Sequence, residues 1–386
     1  MKNPATTWIA FWLTNWLVTV SVLIGQEDHR RTAKFSWELH ATDTHVSLRG
    51  LSAVDAKMLW ACGAESTVIR SSDGGTSWIN CSPNYETLEF RSITAFDAQT
   101  ACIASAGTPA FILRTSDGGK NWQEVFKHAS PAAFFDGLRF WDTLRGIAFS
   151  DPIESRILVV ITNDGGITWQ PIAPEAIPVA RENEGGFAAS NSALFVGSQG
   201  RAWIGTGGTV AENSRVYRSL DFGQSWIAYS CPIPSAASEG VFSLAENVAT
   251  KRLVAVGGDF RPAATSRLTV AVSEDEGQTW RPAVNPPRDF LSAVCTVSLN
   301  AQSKPIFFAT GPTGSFYSDD GDDWYKASNI GFHALASGPE NSVFAVGSDV
   351  NLKALAEGMS QAVTEKVFAV GSEGRFGKLE VTTHPQ

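Results

Sequence analysis

Ser71-Ser72-Asp73-Gly74-Gly75-Thr76-Ser77-Trp78 is the stretch that decides the fold, because five relatives of it follow along the chain. The spacing is kept at Thr115/Asp117/Gly119/Trp122, Thr162/Asp164/Gly166/Trp169, Ser219/Asp221/Gly223/Trp226 and Ser273/Asp275/Gly277/Trp280. A sixth copy, Tyr317/Asp319/Gly321/Trp324, keeps Asp-x-Gly-x-x-Trp but opens on Tyr. Successive tryptophans lie 44, 47, 57, 54 and 44 residues apart. Such a period marks an array of one supersecondary unit. Physically, the string is a hairpin turn. The carboxylate accepts backbone N–H bonds from two or so residues on, the glycine takes a positive φ, and the tryptophan buries its ring against the hairpin. A catalytic or metal-binding role for the aspartates is disfavoured, since every repeat would carry the same site and no His or Cys accompanies it. Asp73, Asp117, Asp164, Asp221, Asp275 and Asp319 are read as structural.

The signature resembles the Asp-box, or bacterial neuraminidase repeat, of β-propellers. Upstream of the boxes run apolar strands ending on glycine, such as Met58–Gly63, Arg201–Gly205, Arg252–Gly257, Ile306–Gly311 and Val343–Gly347. Before these come first strands at Leu48–Val54, Phe90–Phe96 and Phe135–Trp141, with others starting near Gly186, Glu239, Phe290 and Phe332. Seven first strands predict seven blades. Near-continuous apolar runs of this length suit strands covered on both faces. The last unit lacks a box, and Phe35-Ser36-Trp37-Glu38 looks like the segment that elsewhere follows one. It is expected to pair with Arg375–Leu379 as the outermost strand of the last blade, removing exposed sheet edges. The expectation is therefore an all-β, seven-bladed propeller over residues 31–386, closed by its amino-terminal strand. Val343–Ser348 is repeated as Val367–Ser372, and Leu352–Met359 between them has helix-forming composition. This 349–366 insertion is either a surface helix or part of a duplicated strand.

Composition bounds the rest. Of 386 residues 43% are apolar, enough for a large core, and the repeats make that core one domain. A net charge of −9 disfavours a nucleic-acid partner, which calls for a basic face. Residues 1–30 carry Lys2 and then an apolar run from Trp8 to Ile24, the pattern of an export signal. Either a cut near Gly25 releases a periplasmic or extracellular protein, or the run stays as a membrane anchor. No later segment is long and apolar enough to span a bilayer. Five cysteines without Cys-x-x-Cys read as small core residues, with at most one disulfide. No cofactor or metal motif is present, and a monomer is expected.

In a propeller the first strand of each blade lines the central channel. The second residues of these strands give Arg49, Arg91, Asp136, Glu239 and His333, with Glu184 close to the equivalent place. Second-to-third-strand loops add Asp151, Asp259 and Arg261. Charges of mixed sign at one mouth suit a polar ligand or a protein segment, though wet channel mouths also hold charges that merely stay solvated. The chain looks like the photosystem II stability/assembly factor-like family of Asp-box propellers. The likeness rests on Leu48-Arg49, Phe90-Arg91, the string Arg114–Trp122 and the terminal Val370-Gly371-Ser372-Glu373-Gly374-Arg375. It implies a chaperone-like or scaffold role through an arginine-bearing channel face. The alternative is a glycoside hydrolase acting on a glycan, because sialidases share the box. That chemistry calls for an arginine triad, a Tyr nucleophile with a Glu base, and an Asp acid. Only Arg49 stands at a comparable site, and no tyrosine enters the channel by register.

Overall fold

The computed structural model describes residues 33–42, 44–85, 88–210, 213–261, 266–298, 303–337, 343–346, 366–370 and 375–383. The leader at 1–30 and the stretch at 349–365 lie outside the described residues.

Apolar runs bounded by glycine become strands covered on both faces: Leu59–Gly63, Ala101–Ser105 and Ala202–Gly205 are buried at every position. Each is the second strand of a four-stranded antiparallel meander, and six such blades succeed one another, at 48–80, 90–128, 135–171, 194–234, 239–282 and 293–328. Their innermost strands are Leu48–Ala53, Phe90–Ala95, Phe135–Phe140, Leu194–Val196, Glu239–Asn247 and Ala293–Val297. Each touches the next around a central axis, and strand Ala334–Ser337 touches both Ala293–Val297 and Leu48–Ala53, completing the ring. Hydrophobic clusters fill the seams. Trp60, Ile93 and Leu113 pack between the first two blades, and Phe149, Ile204 and Tyr217 between the third and fourth. Indole N–H groups cross the same seams, from Trp60 to Asp97 O (3.1 Å) and from Trp141 to Arg201 O (2.8 Å).

The count of seven blades is corrected to six. The remaining strands build a sheet of another kind, five-stranded, with Ala33–Ala41, Arg375–Thr383, Val343–Val346 and Ala334–Ser337 in order and Lys366–Val370 also paired to Arg375–Thr383. Two physical reasons are visible. The last unit has no Asp-centred turn to tie a third strand to a fourth. Its duplicated Val-Phe-Ala-Val string supplies two strands that both pair with Arg375–Thr383. The amino-terminal strand does pair with Arg375–Thr383, in the register Trp37↔Leu379 and Ala41↔Arg375. Trp37 is buried against Phe332 (4.3 Å between ring centroids) and Phe308 (5.9 Å), so it seals this sheet onto the sixth blade.

The turns are built as one device. In the third blade Thr162 Oγ1 donates to Asp164 Oδ1 (2.8 Å), and so do Ile167 N (3.0 Å) and Thr168 N (2.9 Å), while Thr168 Oγ1 donates to Oδ2 (2.6 Å). Gly166, at φ 79°, donates to Thr162 Oγ1 and accepts from the Trp169 indole. The carboxylate therefore reaches three and four residues on, farther than the two or so expected. In the first five boxes the side chain before the tryptophan (Ser77, Asn121, Thr168, Ser225, Thr279) donates to the second carboxylate oxygen. The sixth turn is one residue shorter. Ser318 and Asp320, not Tyr317 and Asp319, take the two roles, with Asp320 Oδ1 accepting from Asp322 N and Asp323 N.

All five cysteines are buried and unbridged, and burial pushes the thiols of Cys81, Cys102, Cys231 and Cys295 up to about 12.

Candidate functional site

Near the start of four innermost strands the ladder slips by one residue. The pairing with the second strand passes from Leu48 to Gly50, from Phe90 to Ser92, from Phe135 to Gly137 and from Val241 to Ser243. The residues left over are Arg49, Arg91, Asp136 and Phe242. A bulge of this kind bends the strand and re-aims the extra side chain. All four line one cavity of about 510 Å³ at a mouth of the channel. Ser292 and His333, each just ahead of an innermost strand, line it too.

One wall is apolar. Phe187 stacks on Phe242 (ring centroids 4.0 Å apart, 13° between planes), and Phe290 meets Phe242 edge-on at 4.7 Å. Phe260 stands T-shaped to both Phe187 and Phe242, at 6.3 and 6.1 Å. The facing wall is charged. Arg49 donates from Nε to Ser47 Oγ (3.1 Å). Arg91 forks onto Glu89 (2.8 and 2.9 Å) and donates from Nη1 to Ala188 O (3.1 Å). Burial, and then repulsion from Arg91, lower the Arg49 guanidinium to about 10, so it remains cationic at neutral pH. Burial, with Arg49 and Arg91 adding to it, drives His333 down to about 3, so its imidazole is neutral. Burial and then the neighbouring Asp151 hold the Asp136 carboxyl well above the usual carboxylate range. Asp136 is 1% exposed, and its Oδ2 has no hydrogen-bond partner. Asp151 is raised to about 6 by burial, although its Oδ1 accepts from Gly186 N (2.9 Å). The site thus presents two guanidinium groups, a neutral imidazole and a carboxyl whose burial favours its protonated form, beside a phenylalanine wall.

The floor comes from the fourth blade. Its innermost strand is only Leu194–Val196, and the preceding residues 186–192 cross the channel instead. Leu138 N donates to Asn191 Oδ1 (2.8 Å), Asn191 Nδ2 to Ile93 O (3.1 Å), Ser190 Oγ to Ser292 O (2.9 Å), and Leu244 N to Ser192 O (3.0 Å). One short segment is thereby tied to four other units of the ring. Asn191 is fully buried at φ 61°, a conformation Asn tolerates better than most residues.

Of the residues singled out in the sequence, Arg49, Arg91, Asp136, Asp151 and His333 share this cavity. Glu184 does not line it, because the segment after it leaves the strand path to plug the channel. It is buried under the guanidinium of Arg215 and accepts from Thr206 Oγ1 (2.6 Å). The Tyr217 hydroxyl touches the same carboxylate (3.3 Å) but is fully buried, so the pair is closed to a substrate. Glu239 lies three residues before the bulge of its blade and pairs across the ladder with Asp259. Asp259 is clasped by Arg261, whose bonds hold its carboxyl down at about 2. From this hairpin end Phe260 is what reaches the cavity. The phenylalanine wall and Ser292 were missed. The usable signal is register: Phe242 and Ser292 hold the same place in Val-Phe-Ser-Leu and Leu-Ser-Ala-Val that Arg49 holds in Leu-Arg-Gly-Leu. Among the described residues no group of His, Cys, Asp and Glu is placed to hold a metal ion.

The family model for photosynthesis system II assembly factor YCF48 matches residues 29–132. No curated protein matches the chain by sequence. Among solved structures, YCF48 bound to a D1 peptide is similar at 17% identity and a TM-score of 0.57, over 90% of this chain and 95% of that one. YCF48 from Cyanidioschyzon merolae is similar at 15% identity and 0.52, over 89% and 99%. An ancestral GH74 enzyme is similar at 13% identity and 0.53, over 75% of this chain and 40% of its own. These likenesses place the chain among β-propellers.

Proposed function

We propose that this protein is an exported, non-catalytic Asp-box propeller of the photosystem II assembly factor-like kind, and that it binds a segment of another protein in the bulge-lined cavity. The observation that carries the reading is the pairing of Arg49 and Arg91 with a wall of four phenylalanines. Arg49, bonded to the protein through Nε, offers the fork of its Nη groups to a carboxylate, and Arg91 stands beside it, held by Glu89 and Ala188 O. Phe187, Phe242, Phe260 and Phe290 offer apolar area to the side chain next to it. The ligand that satisfies both is a peptide bearing an acidic group beside a large apolar residue. Support comes from the YCF48 structure that holds a D1 peptide.

The Asp136–Asp151 pair gives the glycan-hydrolysing alternative its one foothold, since two neighbouring carboxyls, both raised by burial, resemble the paired carboxyls of glycosidases. The test runs both readings together. Fluorescent peptides carrying Glu-Phe or Glu-Leu are titrated against the full-length protein, its Arg49→Ala variant and its Phe242→Ala variant, beside a panel of chromogenic glycosides. Peptide binding weakened tenfold or more in both variants, with no glycoside turned over, supports the binding module. Turnover abolished by Asp136→Asn, or peptide binding indifferent to Arg49→Ala, would overturn it.

A further inference from the structure

On the far side of the plug the channel continues as a second cavity of about 210 Å³. Its lining differs from the first. Hydroxyl groups enter from several units of the ring, as Ser52, Thr94, Ser192, Thr296 and Ser337, and one charged side chain, Arg139, stands among them. Arg139 occupies the fifth position of its innermost strand, as Ser52 and Thr94 do in theirs. A cation therefore stands where two other blades place a hydroxyl. Its Nε donates to Asn191 O (3.1 Å), which orients the guanidinium but leaves its charge uncompensated. No acidic side chain lines the cavity, and no ion pair holds Arg139 among the described residues. Enclosure alone lowers its guanidinium to about 10, and no neighbouring charge contributes. Arg201 faces Glu246 at 2.8 Å and Arg215 lies on Glu184, whereas buried Arg218 bonds the backbone O of Glu276 and lies over the Tyr229 ring. An enclosed charge ordinarily has a partner of opposite sign.

We infer that this second cavity is a binding site for a small inorganic oxyanion, of the size and charge of phosphate, held by Arg139 and by hydroxyl donors of the surrounding strands. The planar fork of an arginine matches two oxygens of a tetrahedral anion. The hydroxyls suit the role. Ser52 Oγ accepts from Ala95 N (3.0 Å), which leaves its own O–H to donate, and Thr296 and Ser337 enter the cavity with no hydrogen-bond partner among the described residues. The site is separate from the peptide cavity, because residues 186–192 stand between them, and it does not depend on that reading.

The experiment titrates inorganic phosphate into the full-length protein by calorimetry at constant ionic strength, with acetate and chloride as parallel arms. Expected is saturable binding of one phosphate per chain, weakened at least tenfold in Arg139→Gln and unchanged in Arg49→Ala. Acetate in place of phosphate would identify a carboxylate as the occupant and overturn the tetrahedral anion. Chloride binding as tight as phosphate would overturn an oxyanion of any kind. Should Arg139→Gln fail to fold, crystals of the unaltered protein soaked in selenate give the answer through anomalous scattering. Selenium beside the Arg139 guanidinium supports the site, and its absence at saturating selenate overturns it.

Discussion

Replacing Asp151 with Asn should make the protein more stable at neutral pH, against the usual effect of changing a buried polar residue. In the native state burial lifts this carboxyl to about 6, whereas in an unfolded chain it titrates near 3.9. Between those values the native state binds the proton and the unfolded state does not. Stability therefore falls as pH rises through about 4 to 6, and the deficit is complete above that window. A move from 3.8 to about 6 corresponds to about 3 kcal/mol. Asp151 keeps some contact with the water of the cavity, and screening trims the effect to about 1–3 kcal/mol. Asn keeps the oxygen that accepts from Gly186 N, so the turn it supports survives the change. Urea unfolding at pH 4.0, 5.5 and 7.5 reads the outcome. Parent and variant should coincide at pH 4.0, and the variant should be the more stable by about 1–3 kcal/mol at pH 7.5, with equal slopes. A variant less stable at pH 7.5, or a difference that stays constant with pH, would refute the reasoning.

Other perturbations separate scaffold from site. Asp164→Ala removes the acceptor of four hydrogen bonds in the third turn and should lower stability by about 1–2 kcal/mol in chemical denaturation. Peptide affinity should be unchanged. Glu184→Gln removes the charge of a buried carboxylate that Arg215, Thr206 and Tyr217 bond and should destabilise by about 3–5 kcal/mol, again with the cavity's affinity intact. Trp37→Ala empties a buried ring from the seam between the closing sheet and the sixth blade, and a loss of about 3–5 kcal/mol is expected by calorimetry or urea unfolding.

The repeats, the Asp-centred turns and the pairing of the amino-terminal strand with Arg375–Thr383 were all legible in the sequence, because each depends on local chemistry or on a fixed period. Site residues were legible where the period held: Arg49, Arg91, Asp136 and His333 follow the same apolar opening residue in Leu48-Arg49, Phe90-Arg91, Phe135-Asp136 and Phe332-His333. Elsewhere the alignment slipped for physical reasons. The fifth inner strand starts early, at Glu239, so its bulge falls on Phe242. In the fourth blade, residues that would have been strand cross the axis instead, which takes Glu184 out of the series. The run Asp319-Asp320 offered two carboxylates to a turn one residue shorter than the rest, and composition does not say which would be used. Blade number failed for a related reason: unit counting assumes equivalent units, and the last one carries its second-strand string twice.

The bulges carry a consequence for how such a protein changes partners. A residue standing outside the ladder takes no part in the cross-strand pattern, so exchanging it leaves every backbone bond of its sheet where it was. Arg49, Arg91, Asp136 and Phe242 are in that sense interchangeable tips on a fixed handle. Rewriting those positions would redirect the ring toward a new target while the machinery that keeps it folded is untouched.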